Sequence, residues 1–257
     1  MIDIILISCV AIIIGLSLGL LGSGGSILTV PALIYIVGQD EKVAIASSLI
    51  IVGFIAFSGA LKYQLDNMID WRAVWQFSLF SMLGSYFSAG FSIYLSGEQQ
   101  LLLFSIIMLL AAISILRKKA PAAYQAIPLN LSLKLAVISC VVVCISGLVG
   151  VGGGFLIVPV LLTLAGMNMS KAVATSLMII SLQSLAGFIK YFSISKQQGL
   201  NFDWSVIVIV SVVGAMSSIL GQKISTGIPQ QKLKSSFALL LLVMGIFLLA
   251  KASINLF

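Results

Sequence analysis

The chain has 257 residues, of which 60% are hydrophobic and 8% charged, and its mean hydropathy is +1.21. Soluble domains carry about a quarter charged residues, so this composition cannot coat a globule for water and marks an integral membrane protein. The net charge of +7 includes no basic cluster with interleaved aromatics, which argues against nucleic acid as a partner.

The apolar runs, in chain order, are about 3–21, 27–38, 43–63, 71–95 and 99–116, then 132–149, 155–166, 171–191, 204–221 and 233–250. Lipid offers backbone groups no hydrogen-bond partners, and the runs are too long and uniformly apolar for barrel strands, so all are expected as helices. The first run follows Asp3 with no basic leader and no small-residue cleavage site, and reads as a retained span. The runs 27–38 and 155–166 are about a dozen residues long, which suits a re-entrant or partial helix better than a full crossing. Each follows a Gly-rich break and places a proline, Pro31 or Pro159, in its first turn, where a missing N–H does little harm. With no His and no C-x-x-C, a metal or redox site is not expected, and Cys9, Cys140 and Cys144 read as small buried packing residues.

Two stretches nearly copy each other. Gly19-Leu-Leu-Gly-Ser-Gly-Gly-Ser-Ile-Leu-Thr-Val-Pro31 recurs as Gly147-Leu-Val-Gly-Val-Gly-Gly-Gly-Phe-Leu-Ile-Val-Pro159. Without a gap, Ala44, Ala46, Ser48, Leu49, Ile51, Gly59, Lys62 and Tyr63 reappear as Ala172, Ala174, Ser176, Leu177, Ile179, Gly187, Lys190 and Tyr191. Between the copies lies the one sizeable polar connection, from Arg117 to Pro128. The expected organisation is a first membrane repeat over 1–120, a loop over 121–130 and a second repeat over 131–257. Each repeat holds about five helical segments, one of them broken by glycine.

A hairpin at each break gives each half an odd number of crossings and inverts the halves, whereas a single crossing there makes them parallel. With Arg117–Lys119 inside, the inverted arrangement puts roughly ten Lys and Arg inside and four outside, against roughly nine and five for the parallel one. The positive-inside rule therefore leans towards inversion. A duplicated, Gly-broken membrane domain is the signature of a secondary transporter.

The runs Gly22-Ser23-Gly24-Gly25-Ser26 and Gly150-Val151-Gly152-Gly153-Gly154 are not P-loops, since no Lys-Ser or Lys-Thr follows the glycines. Unwound at membrane depth, they leave N–H groups unpaired, and a helix N-terminus with free N–H groups holds an anion. Close helix packing is the plainer role for such glycines. Ser23 and Ser26 add hydroxyls, as do Ser47, Ser48, Thr175 and Ser176, although serine and threonine can also bond the carbonyl one turn back. Gln183 has more bonding capacity than one backbone carbonyl can meet. Lys62 and Lys190, each followed by Tyr, either snorkel to the interface or draw anions to the two mouths of a pathway. Every acid falls at a segment end or in a loop, so the proton relay or cation-binding carboxylate of many pumps is missing. An anion site of backbone dipoles and hydroxyls needs no buried charge.

These motifs resemble the TauE/SafE family of sulfite and organosulfur-anion exporters. The resemblance rests on Gly-Leu-x-Gly-x-Gly-Gly-Gly/Ser-x-Leu-x-Val-Pro in both halves (Gly19–Pro31, Gly147–Pro159). It rests equally on Ala44–Leu49 with Ala172–Leu177, and on Gly59–Tyr63 with Gly187–Tyr191. It covers essentially the whole chain, with one departure between the copies, Ser26 where the second has Gly154. The resemblance implies a plasma-membrane transporter of small sulfur oxyanions such as sulfite, sulfonates or sulfoacetate. The expectation is an all-α polytopic carrier with no cofactor and no metal, its substrate held between two repeats that rock against each other. An anion channel, or a carrier of another small organic anion, is the alternative. No nucleophile with a base and no paired carboxylates lie in the membrane, so an enzyme is not expected. A coupled proton could ride on the substrate.

Overall fold

A computed structural model describes residues 2–91, 94–117, 154–163, 165–198, 201–225 and 227–256. The inter-repeat loop, the run 132–149, Cys140, Cys144, and Gly147 to Gly153 lie outside the described residues. Those described form nine α-helices and no strand: α1 (Ile2–Leu21), α2 (Gly24–Tyr35), α3 (Glu41–Leu65), α4 (Trp71–Phe91), α5 (Gly97–Arg117), α6 (Gly154–Thr163), α7 (Met169–Gln198), α8 (Trp204–Ser225) and α9 (Gln230–Leu256). Six of them, α1, α3, α5, α7, α8 and α9, are long and apolar enough to cross a membrane. α4 has 21 residues, and its serines lower its apolarity.

Helix starts follow local chemistry. Asp70 caps α4, its Oδ1 accepting from the N–H groups of Arg72 and Ala73 at 3.0 and 3.2 Å. Asp203 caps α8 identically through Ser205 and Val206. α5 opens with a reciprocal box, in which Ser96 Oγ accepts from Gln99 N–H while Gln99 Oε1 accepts from Ser96 N–H.

The glycine break is shorter than the sequence leads one to expect. α2 begins at Gly24, so only Gly22 and Ser23 stand outside helix, with Gly22 at φ +77°. α2 then folds back along α1. A methyl group on Gly24 would lie 2.5 Å from Ser17 Oγ, and one on Gly25 would lie 2.5 Å from Leu18 Cβ and 2.7 Å from the Ile14 carbonyl oxygen. These two glycines therefore have a packing job: they let two antiparallel helices touch backbone to backbone.

Small residues set the other close contacts too, as expected where lipid removes the hydrophobic drive between helices. Gly15 and Gly19 of α1 rest on Gly214, Ser217 and Ser218 of α8, and Gly221 returns the contact against Leu16 and Gly19. Numbers rise together in these pairs, so α1 and α8 run parallel. α3 and α7 run antiparallel: Gly59 meets Leu177, Gly53 meets Ser184, and Gly187 meets Leu49.

The contacts are also reciprocal. Gly59 of α3 packs on Leu177 and on Ser218 of α8, while Gly187 of α7 packs on Leu49 and on Ser85 of α4. Outward faces carry large apolar side chains, among them Ile5, Ile13, Phe54, Leu79, Phe87 and Leu239. Cys9 belongs to this exposed surface, contrary to its expected burial. An outer face that meets lipid is as apolar as the core, so composition could not separate the two.

Candidate functional site

The antiparallel pairing of α3 and α7 separates residues that the sequence placed around one point. Ser176 lies level with the end of α3 near Lys62, whereas Ser47 and Ser48 lie about a dozen residues lower, roughly 18 Å at the rise of a helix. Gln183 falls between, beside Ser184 and Gly53. Gly22 is brought to Ser176: a methyl group there would lie 3.0 Å from its Oγ and 2.9 Å from Val173 Cα. Gly150, Gly152 and Gly153 lie outside the described residues, and Gly154 is the first residue of α6. The site is therefore an elongated seam along α3 and α7.

An anion needs donors, and the hydroxyls differ in whether theirs is already spent. Ser26 Oγ donates to the Ser23 carbonyl at 2.7 Å, Ser48 Oγ to Ile45 at 2.7 Å, and Ser176 Oγ to Val173 at 2.9 Å. For these three the back-bonding role holds. Thr175 Oγ1 accepts from the Asp70 N–H at 3.1 Å, tying the start of α4 to α7. The mirror hydroxyl, Ser47 Oγ, has no partner.

Ser23, Ser47 and Gln183 remain. All three are wholly buried, and neither the hydroxyls nor either amide atom of Gln183 has a partner. Ser23 stands at the N-cap of α2 without a side-chain capping bond, while its carbonyl accepts the Ser26 N–H at 3.2 Å. Each such unmet group costs about 1–3 kcal/mol, so these three are the candidate residues whose bonding capacity the fold leaves open.

The structure adds residues that the sequence reading did not single out. On α4, Ser78, Ser81, Ser85 and Ser88 recur at helical spacing and are all buried, and Ser78 and Ser81 have no partner. On α8, Ser218 Oγ and both amide atoms of Gln222 are likewise unpartnered and border Gly59, with Gln222 Nε2 2.7 Å from a methyl placed there. Ser17 and Ser184, and the amide of Gln39 beyond the end of α2, are unpartnered as well. The 3-4-3 spacing of the α4 serines was a readable signal of one helix face.

Lys62 and Lys190 are half-buried towards opposite ends of the seam. The ammonium of Lys190 sits 5.1 Å over the ring centroid of Tyr86, a cation–π contact. At the Lys62 end, Tyr63 Oη and Ser225 Oγ are 3.3 Å apart. A separate cavity of about 270 Å³ between α1, α2 and α9 is lined by apolar side chains such as Val10, Ile14, Pro31 and Phe247, with Tyr35 among them, and suits hydrocarbon. Among the described residues no cluster of three or more His, Cys, Asp or Glu could hold a metal ion.

A family model described as "Sulfite exporter TauE/SafE" matches residues 7–248. A "Probable membrane transporter protein" of Xylella fastidiosa (strain 9a5c) is 29% identical over 243 residues, covering 92% of this chain and 91% of that protein. One of Methanocaldococcus jannaschii is 29% identical over 264 residues, covering 96% and 97%. The "Probable membrane transporter protein YunE" of Bacillus subtilis is 30% identical over 210 residues, covering 71% and 77%. No solved structure matches the chain.

Proposed function

The chain belongs to the TauE/SafE sulfite exporter family and is a multi-pass membrane transporter, and from that premise we propose that it carries small sulfur-containing anions, such as sulfite or sulfonates, out across the plasma membrane. The observation that carries this reading is the N-terminus of α2 inside the protein, where the hydroxyl of the wholly buried Ser23 has no partner and makes no capping bond. A helix start bears about half a positive charge, and Ser23 with the Gln183 amide adds donors without adding charge.

Alternating access is the mechanism that the contacts support. Antiparallel α3 and α7, with Gly59 and Gly187 in exchanged surroundings, are what a two-fold axis in the membrane plane produces, so the two repeats read as inverted. The same side chains make a bond at one end and not at the other: Asp70 holds Thr175, while Ser47, the mirror of Thr175, stands unbonded. Such asymmetry suits a carrier caught with one end latched. With the halves inverted, roughly ten of the 14 Lys and Arg fall on the side of Arg117, which makes that side cytoplasmic. No catalytic step is part of this function.

The test is flux of labelled sulfite and methanesulfonate in proteoliposomes, for wild type and Ser23→Ala. Ser23 Oγ has no partner to lose, so the variant should insert and fold normally. Loss of one hydrogen bond to a charged ligand should lower flux about tenfold or more. Wild-type flux no greater than in protein-free liposomes would refute the assignment, and unitary currents in a planar bilayer would replace the carrier with a channel.

A further inference from the structure

Among the described residues the seam is polar along its length, and between Lys62 and Lys190 at its ends it carries no charge. On α3, α7 and α8 the buried groups without a partner are the hydroxyls of Ser47, Ser184 and Ser218 and the amides of Gln183 and Gln222, and Ser17 on α1, Ser23 before α2, and Ser78 and Ser81 on α4 are buried and unpartnered too. No charged residue occurs within 4–39, 43–61, 73–97, 99–116, 135–170, 172–189 or 204–222. The nearest cation on α7, Lys190, is seven residues from Gln183, about 10 Å along the helix, and its ammonium is engaged with Tyr86.

We infer that the species carried through this seam is a monoanion, and that an anion with a second ionisable proton crosses with that proton still attached. The inference rests on the anion-transport reading above and narrows its substrate class. The cost of taking an ion out of water rises with the square of its charge, so a dianion is penalised about four times as heavily as a monoanion of the same size. Neutral dipoles offset that cost for a single charge: a helix N-terminus supplies about half a charge, and hydroxyl and amide donors supply hydrogen bonds. A second charge would need a cation within the seam, and between Lys62 and Lys190 at its two ends α3 and α7 offer none.

The amides point the same way. Each Gln carbonyl oxygen is an acceptor with no donor, and a protonated oxyanion brings one O–H where the bare dianion brings only acceptors. A proton then accompanies each substrate without any titratable side chain in the path. Sulfite, whose second ionisation lies near neutral pH, would cross as hydrogen sulfite. Methanesulfonate, a permanent monoanion, would cross at any pH, whereas sulfate and sulfoacetate, doubly charged near neutrality, would be excluded.

The experiment is initial sub-saturating flux in proteoliposomes at equal pH on both sides, with the protein-free rate subtracted. Across two pH units centred on the second ionisation of sulfite, sulfite flux should fall roughly tenfold as pH rises, following the monoanion fraction. Methanesulfonate flux should stay flat over the same range, and sulfate and sulfoacetate should remain at background. Sulfite flux that rises with pH, or sulfate carried as fast as sulfite, would overturn the inference while leaving an anion carrier in place. Parallel falls for sulfite and methanesulfonate would assign the pH dependence to the protein and overturn it equally. Absence of flux for every sulfur anion at every pH would remove the transport assignment itself, and this inference with it.

Discussion

Replacing Gln183 by methionine should make the protein more stable and less active at once. The side chain is wholly buried midway along α7, beside Ser184 and opposite Gly53, and neither amide atom has a partner. A buried unmet donor or acceptor costs about 1–3 kcal/mol. Methionine is unbranched, of similar length, and brings no group to satisfy, so Gln183→Met should recover about 2 kcal/mol. For a chain of this size that is roughly 4–8 °C in the unfolding midpoint. Flux of the preferred anion should fall about tenfold or more, because the amide donor that met the charge is gone. The assay pairs thermal unfolding in detergent with proteoliposome flux on the same preparation. In wild type the midpoint should also rise with added sulfite by mass action, and in the variant it should not. A variant that is less stable but transports normally would show that the amide is satisfied within the fold, and the reasoning would fail.

The ends of the seam should respond unequally to loss of a hydroxyl. Thr175→Val strips the Asp70 N–H of its acceptor and should cost about 1–3 kcal/mol, whereas Ser47→Ala removes an unmet buried hydroxyl and should stabilise, as Gln183→Met does; equal losses in unfolding experiments would remove the latch. Gly19→Ala should destabilise by about 1–3 kcal/mol, since its methyl would fall on the Ser218 carbonyl. Gly38→Ala meets nothing within 4 Å and should cost only the roughly 1–2 kcal/mol of a positive φ, with unfolding midpoints ranking the two. Removing a cap by Asp203→Ala should cost about 1 kcal/mol in the same assay.

Much of this architecture was readable from composition and order. Lipid forces each apolar run into a helix, so α3, expected at 43–63 and found at Glu41–Leu65, and α8, expected at 204–221 and found at Trp204–Ser225, differ only by end turns. The short runs after each glycine break end where α2 and α6 end, to within three residues. What the pattern did not carry was direction inwards. In a soluble helix the apolar stripe faces the core, but α4 is apolar on its lipid face too, and its Ser78, Ser81, Ser85 and Ser88 stripe becomes meaningful only once α7 is seen against it. Cys9 faces outwards for the same reason. Gly24 and Gly25 were legible as glycines but not as the contact between α1 and α2, because close approach is a property of two segments.

The sequence by itself determined that this chain spans a membrane as helices, that its Gly-rich and Ala-x-Ala motifs occur twice, and that its charges lie towards the ends of its spans. Those follow from the solvent, which permits few backbone solutions and taxes every buried charge. Tertiary structure alone decided which hydroxyls are spent on their own helix, that Ser48 and Ser176 are offset by roughly 18 Å along the helix axis, and that Gln183 and Gln222 are left without partners. A polar group is satisfied or orphaned by whatever neighbour packing brings within three ångströms, and no local pattern records that neighbour.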